Sequence, residues 1–216
     1  MRPYAALATI AGLAVCESLG GTMNNVPLEV APDAGEADWE FSLSSYTYLG
    51  QHTRDYVNPN FTADRDWLHL EARYNYEAIK TGSVWLGYNW STGKKLQLEV
   101  TPMLGGVVGD ITGIAPGYII TVRYKPLELS TQGEYFFDAG IHSGDFFYSW
   151  SELSASTVDW LRLGVVVERT QALGHSSDVR RGPLLGFKYK DIDLTTYWLS
   201  PSSSEATFVF AVTVKF

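Results

Sequence analysis

The sequence predicts an all-β protein: a transmembrane antiparallel up-and-down β-barrel of about twelve strands, with ten as the alternative count. Three observations predict it. Segments of alternating apolar and polar residues recur along residues 38–216, as strands with one apolar face require. The connections between them alternate between tight turns and longer polar loops, the asymmetry of outer-membrane barrels. The sequence closes on an alternating strand with an aromatic last residue, TFVFAVTVKF (207–216).

The elements follow in order. DWEFSLSSYTYLG (38–50) is the first strand, ended by QHTRD. YVNPNFTADR (56–65) sets Val57, Pro59, Phe61 and Ala63 against Asn58, Asn60, Thr62 and Asp64, and Pro59 weakens it by removing a ladder donor. DWLHLEARYNYE (66–77) sets Leu68, Leu70, Ala72, Tyr74 and Tyr76 against His69, Glu71, Arg73, Asn75 and Glu77. SVWLGYNWS (83–91) and KLQLEVTPMLGGVVG (95–109) flank the tight turn TGKK. DITGIAPG reads as a loop before YIITVRYK (118–125), and Pro126 marks the turn into LELSTQGEYFFD (127–138). FFYSWSELSAS (146–156) has no clear facing, and a bulge there would shift its register. WLRLGVVVERT (160–170) precedes a long polar loop, QALGHSSDVRRG, and PLLGFKYK (183–190) follows it. DLTTYWLS (193–200) and the terminal strand complete the series.

Composition agrees with a barrel. The chain has 216 residues and a formal charge of −8, which disfavours nucleic acid as a partner. Aromatics make up 14%, with 13 Tyr and 7 Trp, as a protein placing rings at membrane boundaries requires. A mean hydropathy of −0.06 fits alternating strands. MRPYAALATIAGLAVCESLGG opens with Arg2 and an apolar run too short to span a bilayer, so residues 1–20 are expected to be a signal peptide. LAVC resembles a lipoprotein box, but Val15 stands where a small residue belongs. Residues 21–37, rich in Gly, Asn, Pro and Asp, are expected to be a flexible periplasmic leader, and 38–216 the barrel. Cleavage after Gly20 would leave no cysteine and no disulfide framework.

If the apolar face meets lipid, its aromatics gather near strand ends. Tyr46, Tyr48, Tyr74, Tyr76, Tyr135, Phe137, Trp198, Phe208 and Phe210 fall near the loop ends. Trp39, Phe41, Tyr88, Trp90, Tyr124, Tyr189 and Phe216 fall near the turn ends. Two aromatic girdles around an aliphatic band are the expected surface of a membrane barrel. Asp38-Trp39, Asp66-Trp67 and Asp159-Trp160 each begin a strand, and strict alternation puts Trp67 and Trp160 inside but Trp39 outside. The closing Phe216 resembles the C-terminal signature of bacterial outer-membrane proteins, which implies the barrel-assembly machinery as a partner. The segments WLHLEARYNYE, LGYNW, TPMLGG and WSEL resemble those of a family of small bacterial outer-membrane β-barrel proteins. That resemblance implies fold, lipid contact and location in the outer membrane, and it implies no activity.

The face opposite the lipid is then rich in charge: His69, Glu71, Arg73, Glu77, Glu99, Arg123, Lys125, Glu128, Glu134, Arg162, Glu168, Lys188, Lys190 and Lys215. These groups either line a narrow aqueous path for small polar solutes or pair across the interior and block it. Glycines at Gly87, Gly105, Gly164 and Gly186 suit either outcome. The expected activity is a narrow, porin-like channel with a charged lumen. The alternative is a closed structural or adhesin-like barrel whose external loops bind a partner. An outer-membrane lipid hydrolase is a third reading. Its candidates, His142-Ser143 and His175-Ser176, lack the His-x-Ser-Asn-Gly spacing of the outer-membrane phospholipase. His52, His142 and His175 fall on separate expected loops, which is poor metal-ligand spacing, so neither metal nor cofactor is expected.

Overall fold

The computed structural model describes residues 38–51, 54–140 and 144–216. The expected signal peptide and leader, together with His52, His142 and Ser143, lie outside the described residues. The described residues form strands β1 (Glu40–Gly50), β2 (Tyr56–Arg65), β3 (Leu68–Tyr74), β4 (Thr81–Tyr88), β5 (Trp90–Thr92), β6 (Gln97–Gly109) and β7 (Gly113–Tyr124). They continue with β8 (Leu127–Asp138), β9 (Phe146–Val158), β10 (Leu161–Ala172), β11 (Asp178–Tyr189), β12 (Ile192–Leu199) and β13 (Thr207–Lys215).

Sequential strands pair antiparallel, and β1 pairs with β13, so the sheet closes on itself. At that seam Phe41 and Phe216 exchange both backbone hydrogen bonds, at 2.9 and 3.0 Å. β4 and β5 both pair with β6 in one register, Gly87 opposite Met103 and Trp90 opposite Val100. They are one crossing interrupted at Asn89, so thirteen segments make twelve crossings. Closure leaves no unpaired sheet edge, which a bilayer demands. Tight turns at 66–67, 93–96, 125–126, 159–160 and 190–191 gather at one end. The strand ends that flank the longer links, 51–55, 75–80, 110–112, 139–145, 173–177 and 200–206, gather at the other.

The wall alternates as a barrel must. In β3, Leu70 and Tyr74 are exposed while His69, Glu71 and Arg73 are buried. Val84, Leu86, Leu104, Ile114, Leu153, Leu163, Val165, Leu194 and Val212 continue the exposed apolar band around the barrel. A water-soluble surface does not carry so extensive an apolar belt. A closed antiparallel barrel wearing it is a bacterial outer-membrane protein.

Several details depart from the sequence expectations. β7 starts at Gly113 rather than 118, and β11 at Asp178 rather than 183. Gly, Pro and polar residues disguise these strands locally, but their ladders to β6 and β10 hold them extended, from Val107–Gly113 and from Thr170–Asp178. β3 stops at Tyr74 because Asn75 takes a φ of 58° and redirects the chain. A register shift at the turn end of β9, between the partners of Leu161 and Leu163, marks a bulge in the strand whose facing was ambiguous. Tyr46 and Tyr48, expected on the lipid face, point inward opposite Ala211 and Val209. Beyond Phe41 the outward residues of β1 are Leu43, Ser45, Thr47 and Leu49, too weak a pattern to fix the facing from sequence. Trp67 and Trp160 lie outside, stacked on Tyr88 at 5.8 Å and on Phe187 at 6.3 Å. They stand in turns, where strand alternation no longer applies, and Asp66 turns its chain with a φ of 51°.

Candidate functional site

The barrel interior holds the candidate site, and Arg73 is its centre. Its side chain is buried, with the guanidinium over the rings of Tyr76 and Trp85, 4.3 and 4.4 Å from their centroids. Nη2 donates to Glu71 Oε2 at 2.8 Å and Nη1 to Glu134 Oε2 at 2.9 Å. Glu71 shares β3 with Arg73, but Glu134 stands on β8, which does not adjoin β3 in the sheet. The Arg73–Glu134 bond therefore crosses the lumen.

A second bridge lies beside it. The β3–β4 link carries Tyr76 inward, where its hydroxyl accepts from Gln132 Nε2 at 3.0 Å and its ring meets Tyr148 edge-on at 5.4 Å. The same link brings Glu77 to the Ser83 hydroxyl at 2.5 Å, and that oxygen accepts from Trp85 Nε1 at 3.0 Å. Trp85 lies flat because Gly105 and Gly117 have no Cβ; one would stand 2.5 or 2.9 Å from its ring. On the wall beside Arg73, His69 Nδ1 meets Asp64 at 2.7 Å and Asn60 donates to Glu71 at 2.5 Å. Asn89 explains its own interruption of the strand: its carboxamide donates to Asp64 at 2.7 Å and accepts from the Thr101 hydroxyl at 2.6 Å.

Inward apolar side chains occupy the loop-end half of the barrel. One cluster joins Trp85, Met103, Val107, Ala115 and Phe136, and a second joins Tyr48, Trp150, Val166, Leu184, Tyr197 and Leu199. Beside the second cluster Arg180 meets Glu168 at 2.6 Å. The turn-end half is more open. A cavity of about 230 Å³ lies there, with Glu128, Gln132, Trp150, Glu152, Arg162 and Asp193 in its lining. Arg162 donates to Glu152 at 2.9 Å and to the Thr195 hydroxyl at 2.9 Å. Glu152 also accepts from Tyr197 at 2.7 Å and Trp150 Nε1 at 2.8 Å. Arg123 pairs with Glu99 and with Glu128, the latter at 2.6 Å.

Of the residues expected on the inner face, His69, Glu71, Arg73, Glu134 and Glu168 are buried there, and Glu99, Arg123, Glu128 and Arg162 stand there part-exposed. Lys188 stands at the turn end opposite Asp193. Lys125 and Lys190 do not belong to the wall: both lie exposed in turns, where the chain reverses before their side chains can enter the barrel. Glu77 reaches the interior from a link rather than from a strand. The interior also uses Asp64, Glu152, Arg180 and Asp193. Arg180 was hidden in an expected loop, and Glu152 lay in the strand whose facing the sequence left ambiguous.

Trp39, Tyr74, Trp90, Tyr124, Phe137, Tyr189, Trp198 and Phe208 are exposed on the outer wall, and Tyr135 packs on Phe137 at 4.7 Å. Tyr76, expected among them, is the correction: the left-handed Asn75 takes it off the strand and into the lumen. Phe216 stacks on Phe41 at 5.8 Å across the seam. His175 is exposed and its Nδ1 lies 3.1 Å from the Leu173 carbonyl.

No protein-family model matches the chain, and no curated protein matches it in sequence. Its fold is similar to that of solved outer-membrane barrels. The KdgM porin superposes with a TM-score of 0.57 at 10% identity, over 81% of this chain and 99% of the porin. The KdgM porin in complex with disordered oligogalacturonate gives 0.55 at 10% identity, over 81% and 98%. The Acinetobacter baumannii outer membrane protein Omp33 gives 0.49 at 7% identity, over 84% and 99%.

Proposed function

We propose that the protein is a narrow outer-membrane channel for small polar solutes, with its barrier at the level of Arg73. The observation that carries this reading is the unequal filling of the lumen. A polar, part-exposed vestibule occupies the turn-end half, and transverse bonds from Arg73 and Tyr76 stand at its inner limit. A barrel needing only stability gains little from such charges, because burying ions costs about as much as pairing them returns. Paired acids and bases along a water-filled wall instead select solutes by charge and size. Similarity that spans nearly all of a porin fold supports the reading at the level of architecture.

Liposome swelling with graded neutral sugars and amino acids tests it. Slow swelling with the smallest solutes and none with disaccharides is expected. No swelling with any solute would favour a closed barrel acting through its loops. The oligogalacturonate belongs to the porin with which it was solved.

A further inference from the structure

The outward face of the wall carries a second chemistry. Strand alternation places three charged side chains outward among the described residues: Arg65, Arg169 and Arg181. All three are arginine, in a chain with 24 acidic and 16 basic residues. Arg65 stands at the turn end, its guanidinium 5.8 Å from the Trp39 ring centroid. Arg169 and Arg181 stand together at the loop end. The ladder sets Val167 opposite Arg181 and Arg169 opposite Val179, so the two are diagonal neighbours, roughly 7 Å apart at the backbone. Arg181 stands opposite Ser200, two residues past Trp198, its carbonyl accepting from the Ser200 amide at 2.9 Å. Arg169 is held at the rim by bonds to Ser177 at 2.9 Å and Gln171 at 2.6 Å, and passes 6.0 Å from the Phe147 centroid. Neither forms an ion pair among the described residues.

We propose that Arg169 and Arg181 form a phosphate-binding pair on the outer wall, which holds a phosphorylated glycolipid of the outer leaflet, lipopolysaccharide. Cations that merely reach for water at a membrane boundary need no partner and no clustering. Here two arginines stand at diagonal positions on adjacent strands beside an apolar belt, and the excess acid of the chain is kept off this face. Guanidinium groups in that arrangement bind a phosphate bidentately, while the belt below covers acyl chains. Loop ends of such barrels face the outside, where the phosphorylated glycolipid lies. Carboxylates at these positions would repel it.

Native mass spectrometry of the folded full barrel titrated with lipid A tests the site. The pair Arg169→Gln/Arg181→Gln should bind lipid A at least about tenfold more weakly than wild type, while Arg65→Gln should match wild type. Phosphate-free lipid A should bind wild type no better than it binds the double variant. Equal lipid A affinity for wild type and the double variant overturns the proposal. So does release of lipid A by millimolar inorganic phosphate alone, which would mark a free-anion site. Should the Gln pair fail to fold, Arg169→Lys/Arg181→Lys keeps both charges without the planar fork. A several-fold loss of affinity then supports the site, and no loss overturns it.

Discussion

Arg73 shows what a single residue does in this barrel. Its side chain and those of Glu71 and Glu134 are each about 2% exposed or less, so the charges are removed from water and depend on one another. Replacing Arg73 with Ala leaves two buried carboxylates without their cation. Loss of one member of a buried pair costs about 3–5 kcal/mol, so Arg73→Ala should unfold at markedly lower denaturant concentration in a reversible lipid-refolding titration. Replacing Arg73 and Glu134 together by Met and Gln should cost less than Arg73→Ala alone, because no unpaired carboxylate remains at Glu134. Gly105 is the complementary case. A side chain there meets the Trp85 ring, so Gly105→Val should cost about 1–3 kcal/mol and shift the tryptophan emission as Trp85 is displaced. Unchanged emission and stability would show that Trp85 has room to move. None of this was legible locally. The sequence places Arg73 on one face of a strand, but a partner 61 residues away on a non-adjacent strand needs the closed barrel.

At the scale of elements, the link between β3 and β4 carries the most consequence. Asn75 and Lys80 both take a φ of 58°, and between them Tyr76 and Glu77 turn inward instead of continuing the strand. The alternation through DWLHLEARYNYE runs three residues past the real strand end, since an Asn in the left-handed region leaves no mark in the polar–apolar pattern. Elsewhere the pattern sufficed. Strands with strong aliphatic alternation, such as β3, β4, β10 and β13, show their facing in sequence, whereas β1 and the Gly- and Pro-bearing starts of β7 and β11 are fixed by their neighbours' ladders. Shortening the β3–β4 link to a tight turn should remove the Gln132 and Tyr148 contacts while keeping the barrel. Retained heat-modifiable gel mobility with faster liposome swelling is the expected outcome; loss of the mobility shift would mean the link is needed for folding.

At the scale of the molecule, closure of twelve crossings on a seam between the first and last strands gives an apolar exterior and a polar interior from one repeated rule. The interior is unequally filled: a vestibule lies at the turn end, a transverse layer forms at Arg73 and Tyr76, and two apolar clusters pack beside them through Trp85 and Trp150. The central claim is that this layer is the barrier to permeation. Single-channel recording in planar bilayers tests it most directly, comparing wild type with Arg73→Ala/Tyr76→Ala, which removes both bridges. Small, infrequent steps for wild type and steps several-fold larger for the variant are expected. Silence from both folded proteins, or identical steps from both, would contradict it.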